Sequence, residues 1–189
     1  TIKVETIGEA PEATTPKRQS TTTKQTKAVV QKEARTYKRG NKIFVENYVG
    51  RKDIKIEAAS QKQNFYIYNC NDCAIKIIGK VNNLMIESCK KSGVEFDSSI
   101  SAVEVIRCES MKIMCLKVAP AVQIDHTSGL ELYLSKESLD ADIFTTCTEN
   151  MNVLVPKGDE GDWTEIALPQ QYQLRIVNGK IESRPVVTF

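Results

Sequence analysis

A 19-residue period runs through the middle of this 189-residue chain. With Cys70 as reference, Cys89 follows 19 residues on, Cys108 another 19, Thr127 another 19, and Cys147 another 20. The neighbours repeat with them. Ile67, Ile86, Val105, Ile124 and Phe144 stand three residues before the reference, Phe65, Leu84, Val103 and Val122 five before, and Ile75, Val94, Ile113 and Leu132 five after. In the last coil the pattern slips by one, so Met151, Val153 and Val155 take the apolar places. Self-similarity at a fixed short period is the signature of a solenoid, whose units bury their apolar faces against one another.

Inside each period the residues alternate apolar and polar, as in FYIYNC, AIKIIG, AVEVIRC and LELYLS, and no proline occurs between Lys17 and Ala119. Such alternation predicts short strands. A 19-residue unit of two or three strands has no room for a helix, which predicts an all-β fold: a parallel β-helix of about six coils whose equivalent residues stack about 4.8 Å apart. The rival is a leucine-rich-repeat solenoid, because Val103 to Met111 resembles its strand signature. Its repeats of about 20–29 residues spend the extra length on a helical segment, so the β-helix is the better fit.

The ends differ from the middle. Residues 1 to 36 hold nine Thr, two Pro and no aromatic residue or cysteine, and residues 17 to 42 carry nine Lys or Arg against Glu33 alone. Such a composition buries too little apolar surface to offset ordering entropy, so residues 1–37 read as a flexible, basic, Thr-rich linker and residues 38–189 as the folded domain. The linker has no interleaved aromatics to stack on bases and no amphipathic stripe, so neither nucleic acid nor stable membrane insertion is expected. After Pro156 the repeat stops. In the hairpin and tail of residues 170–189, Asn178-Gly179 separates two alternating strands, a strong hairpin signal. A lone hairpin is unstable in water and must rest on its own last coil or on a second subunit.

Catalytic chemistry has little to build on. His126 is the single histidine, which rules out two-histidine metal sites and imidazole pairs, and it reads as a turn residue. Cys70-x-x-Cys73 has no second pair to complete a zinc site, and both residues fit the inward pattern. A polysaccharide-cleaving β-helix needs clustered outward acids, but the position six after the reference reads Lys76, Glu95, Met114, Tyr133. No run approaches the roughly 18 apolar residues of a membrane helix, and the first residues lack signal-peptide features. The chain reads as cytoplasmic, with no metal, no cofactor, and six free thiols acting as small core residues. Lys90-Lys91 and Lys136-Glu137 fall in turns that a solenoid aligns into stripes, and such stripes are a common means of recognising partners.

The strings FYIYNCNDCAIKIIGKVNNLMIESCKKSGVEFD, ELYLSKESLDADIFTTCTENMNVLVP and VNGK closely resemble the C-terminal domain of cyclase-associated proteins, over roughly residues 38 to 184. The resemblance implies a right-handed parallel β-helix that dimerises by exchanging its C-terminal hairpin, here Gln173, Leu174, Arg175, Ile176, Val177, Asn178, Gly179, Lys180 and Ile181 and on to Glu182. It also implies a non-enzymatic role: binding ADP-loaded actin monomers and promoting their nucleotide exchange. On matching positions it places actin contacts at Lys90 and Lys91, at Ser135, Lys136 and Ser138, and at the tail Pro185, Val186, Val187, Thr188 and Phe189. Residues 1 to 37 show no helical domain, polyproline run or actin-binding Wiskott-Aldrich-homology core, so the chain reads as a fragment or a reduced form. Tubulin cofactor C-like domains share the fold and use an arginine to activate GTP hydrolysis. Arg107, the only arginine inside the central coils, is the matching candidate for that alternative.

Overall fold

The computed structural model describes residues 5–6, 32–158 and 161–186. The chain winds between two sheets. The first holds β1 (Glu5–Thr6), β2 (Arg35–Arg39), β3 (Lys42–Glu46), β5 (Asn64–Tyr68), β7 (Asn83–Glu87), β9 (Ala102–Ile106), β11 (Ala121–Asp125) and β13 (Asp142–Thr146), in that order. The second runs β4 (Ile54–Glu57), β6 (Ala74–Val81), β8 (Gly93–Ser99), β10 (Glu109–Cys115), β12 (Ser128–Tyr133), β14 (Glu149–Lys157) and β15 (Asp162–Ala167). From β3 onward the neighbours in the first sheet are parallel, and six successive coils each contribute one strand to it. The fold is the expected parallel β-helix.

Side chains that alternate across each strand send one set inward, where coils stack Val45, Ile67, Ile86, Val105 and Ile124 beneath the first sheet and Ile54, Ile75, Val94 and Ile113 beneath the second. All these side chains are buried. Flat, β-branched residues suit such ladders because their stiff side chains pack on a pleated surface.

Both ends depart from the period. The folded part opens with an antiparallel pair, β2 and β3, turning at Gly40 with φ +57°. Strand β2 begins at Arg35, inside the segment expected to be linker. The first coil is longer than 19 residues, since Val45 pairs with Ile67 and Ile54 with Ile75, so the 19-residue period begins only with the second coil.

At the other end Asp125 pairs with Thr146 and Ser128 with Glu149, so this coil is two residues longer than 19. The extra length sits in a 3-10 turn at Lys136–Ser138. Because sheet side chains have a period of two, this corrects the expected register. Phe144 pairs with Gln123 on the outer face and is 56% exposed, while Ile143 and Thr145 take the positions facing Val122 and Ile124. Cys147 is likewise exposed and aligns with His126, so Thr148, not Cys147, follows Thr127 in the reference column. All six thiols are free.

Candidate interaction surfaces

The corner leading from the first sheet to the second is built the same way in every coil. Asn69, Ser88, Arg107, His126 and Cys147 have φ between 50° and 55°, and three residues later Asp72, Lys91, Ser110, Gly129 and Asn150 are also left-handed. Between them the reference residue points inward. Left-handed N–H groups reach the carbonyl of the next coil, as from Asn69 to Glu87 at 3.0 Å, Ser88 to Ile106 at 3.0 Å and Arg107 to Asp125 at 2.9 Å.

This corner explains the Cys, Cys, Cys, Thr column better than hydrophobicity does. The buried N–H of Cys70 donates to Cys89 Sγ at 3.4 Å, and that of Cys108 to Thr127 Oγ1 at 3.2 Å. The same side chains donate onward two residues back, Cys89 to the Glu87 carbonyl and Thr127 to the Asp125 carbonyl. One turn on, Cys73 N–H donates to Ser92 Oγ at 3.0 Å, while Ser92 donates to the Lys90 carbonyl at 2.7 Å. The column needs a small side chain that both donates and accepts, because an unpaired buried amide is costly. Hydrogen bonding to Cys108 and Cys70, then burial, pushes the Cys89 thiol far above its usual range, and burial raises Cys73 and Cys115. Each of these three thiols is buried and hydrogen-bonded within the fold.

The expected contact residues separate into three places. Lys90 and Lys91 lie on the first corner, where Lys90 Nζ pairs with Glu109 at 2.8 Å and holds that carboxyl below its ordinary value. Ser135 and Lys136 lie past the C-terminal end of β12, on the opposite corner, so a full strand separates them from the lysine pair. Ser135 caps the 3-10 turn by accepting from Glu137 N–H and also donates to the Lys117 carbonyl. Ser138 is 1% exposed and is spent internally: it accepts from Ala119 N–H at 2.9 Å and donates to the Lys117 carbonyl at 2.7 Å. It is therefore removed from the contact surface. A polar residue in an exposed-looking motif gave no sequence signal that it faced inward.

The third place is the hairpin of β16 (Gln171–Val177) and β17 (Lys180–Val186), with Asn178 and Gly179 at its left-handed turn. It pairs with no other strand among the described residues. Ile176 is 80% and Ile181 73% exposed, and Leu174 is exposed as well. Pro185 and Val186 lie on β17, whereas Val187, Thr188 and Phe189 fall outside the described residues.

Arg107, the candidate for GTPase activation, occupies the left-handed corner with φ 52° and its guanidinium is paired with Glu87. Among the described residues no group of three or more His, Cys, Asp or Glu is placed to hold a metal ion, and no helix is long and apolar enough to cross a membrane.

The model of the C-terminal region of adenylate cyclase-associated (CAP) proteins matches residues 32–188. The chain belongs to this family. Cyclase-associated protein 1 of Arabidopsis thaliana is 44% identical over 148 residues, covering 78% of this chain and 31% of that protein. The adenylyl cyclase-associated protein of Dictyostelium discoideum is 37% identical over 145 residues, covering 76% of this chain and 31% of that protein. The chain thus spans less than a third of the length of these curated relatives. The crystal structure of a cyclase-associated protein from Cryptosporidium parvum superposes with a TM-score of 0.80 at 27% identity, covering 84% of this chain and 98% of that one. The CAP match starts at residue 32, which places Arg35–Arg39 inside the family's domain.

Proposed function

We propose that this CAP domain binds ADP-loaded actin monomers and promotes their nucleotide exchange, acting in the cytoplasm as a dimer joined through the β16–β17 hairpin. The observation that carries the reading is the family match across residues 32–188. The relatives' names speak of cyclase association, and actin enters through the family resemblance of the sequence. The hairpin supports the dimer. Its apolar side chains stand in solvent, and two strands alone are marginal in water, so a second copy that exchanges hairpins would bury them.

An exchange factor needs no reacting group. It must bind more tightly to the actin state from which nucleotide escapes, and each 1.4 kcal/mol of that preference shifts the equilibrium about tenfold. The solenoid suits this because its corners are fixed by interlocked hydrogen bonds. Lys90, Lys91, Ser135 and Lys136, with Pro185, Val186 and the tail to Phe189, are the proposed contacts. Titration of fluorescently labelled ADP-actin monomers with the chain tests binding. Saturable binding weakened by Lys90→Glu with Lys91→Glu is expected, and absence of binding would refute the reading.

A further inference from the structure

Outside the surfaces above, one face carries a row of aromatic residues. On the outer side of the first sheet Tyr37 and Phe44 stack with centroids 4.9 Å apart, Phe44 meets Tyr66 edge-on at 5.6 Å, and Tyr66 stacks on Tyr68 at 5.8 Å. Met85 extends the row, and a shallow groove of about 480 Å³ runs between Lys42, Phe44, Asn64, Tyr66, Asn83 and Met85. The core is built from the inward set, and these rings lie outside it. Asn83, which lines the groove, donates from Nδ2 to Glu104 at 2.9 Å, and its Oδ1 atom is buried without a partner.

The charge of this face is one-sided. From β5 to β13 its outward positions carry Glu87, Glu104, Asp125 and Asp142 and no Lys or Arg, and of these Glu87 is paired with Arg107 from the corner after β9. The chain also shows how the face holds a cation. The Arg35 guanidinium stands 4.7 Å from the Tyr37 ring centroid while its Nε and Nη2 donate to Glu46 at 3.0 Å, and Tyr37 also donates to Glu46. One coil on, Tyr66 donates to Glu87 and repeats the tyrosine–glutamate pair. Among the described residues no guanidinium lies over the Tyr66 ring.

We propose that this face docks an extended, proline-rich segment of a partner protein that carries an arginine. A polyproline II segment has unpaired carbonyls that tyrosine and asparagine can donate to, and prolyl rings that lie on aromatic faces. Prolines three residues apart repeat about every 9 Å, close to two coil spacings of about 4.8 Å, so successive prolines meet side chains on alternate coils. The arginine supplies the N–H donors and the charge that complement Glu104 on this face. This site shares no residue with the proposed actin contacts.

The test is calorimetric titration of the full chain with three synthetic peptides: polyproline ending in arginine, polyproline alone, and a Gly/Ser peptide of matched charge. Saturable binding is expected in that order of affinity. Tyr66→Ala should weaken the arginine peptide by about tenfold, the scale of a lost aromatic anchor. Glu104→Gln, which removes the charge but keeps an oxygen to accept from Asn83 Nδ2, should weaken it with little change in the urea midpoint, so loss of binding is separable from loss of fold. No binding of the arginine–proline peptide, equal binding of the Gly/Ser peptide, or indifference to both variants would overturn the proposal. So would tighter binding of a peptide spanning residues 7–31, which would make the chain's own basic segment the occupant.

Discussion

The Oγ1 atom of Thr127 accepts the backbone N–H of Cys108 at 3.2 Å, one coil below it, and this contact occupies the place that Cys89 Sγ fills for Cys70. Replacing Thr127 by Val keeps the shape and removes the acceptor, leaving the Cys108 amide buried and unpaired. Thr127→Val should lower stability by about 1–3 kcal/mol. Thr127→Cys, which restores the side chain used in the preceding coils, should retain most of it. Urea denaturation of the three proteins checks both.

The corrected register makes Cys147 the one exposed cysteine among six. A thiol reagent added to the native protein should therefore modify one residue quickly and the rest only on unfolding. Cys147→Ser should abolish the fast phase, as followed by mass spectrometry. Had Cys147 continued the inward column, no fast phase would exist.

The outward face of the second sheet is laced by ion pairs between coils, among them Lys112 with Glu131 at 2.9 Å. Lys112, with help from Tyr133, holds the Glu131 carboxyl below its ordinary value. A carboxyl whose folded value is depressed contributes its full stabilisation above the unfolded glutamate value of about 4.3 and loses it as pH falls through the folded value. Glu131→Gln should thus lower the urea midpoint slightly at pH 7, and the difference from the parent should vanish in strong acid. A difference that grows as pH falls would contradict the assignment.

If the hairpin joins two copies, ending the chain after Tyr172 should halve the mass measured by light scattering. The solenoid's far-ultraviolet spectrum should persist, because among the described residues β16 and β17 pair with none of its strands.

Much of the fold was legible in the sequence because the solenoid's geometry writes itself as a period. Ile67, Ile86, Val105 and Ile124 sit 19 residues apart and do stack. The limits came from changes in coil length. Two residues absorbed by the turn at Lys136–Ser138 moved Phe144 and Cys147 to the outside, and the longer first coil hid β2, β3 and β4 from the repeat. The inward Cys column was legible as buried but not as an amide-capping device, since that role depends on left-handed corner residues such as Ser88, Arg107 and His126 that sequence does not favour there. Ser138 was misjudged for a similar reason: its hydroxyl closes the turn from inside. The aromatic row drew no notice because Tyr37, Phe44 and Tyr66 lie on three different strands, and the register of the first coil was needed to align them.

Actin nucleotide exchange is tested by the uptake of a fluorescent ATP analogue by ADP-loaded actin monomers with and without the full chain. The account expects the uptake rate to rise with chain concentration to a plateau, and the rise to be lost with the Lys90→Glu, Lys91→Glu double variant but kept with Arg107→Ala. An uptake rate unchanged at saturating chain would contradict it.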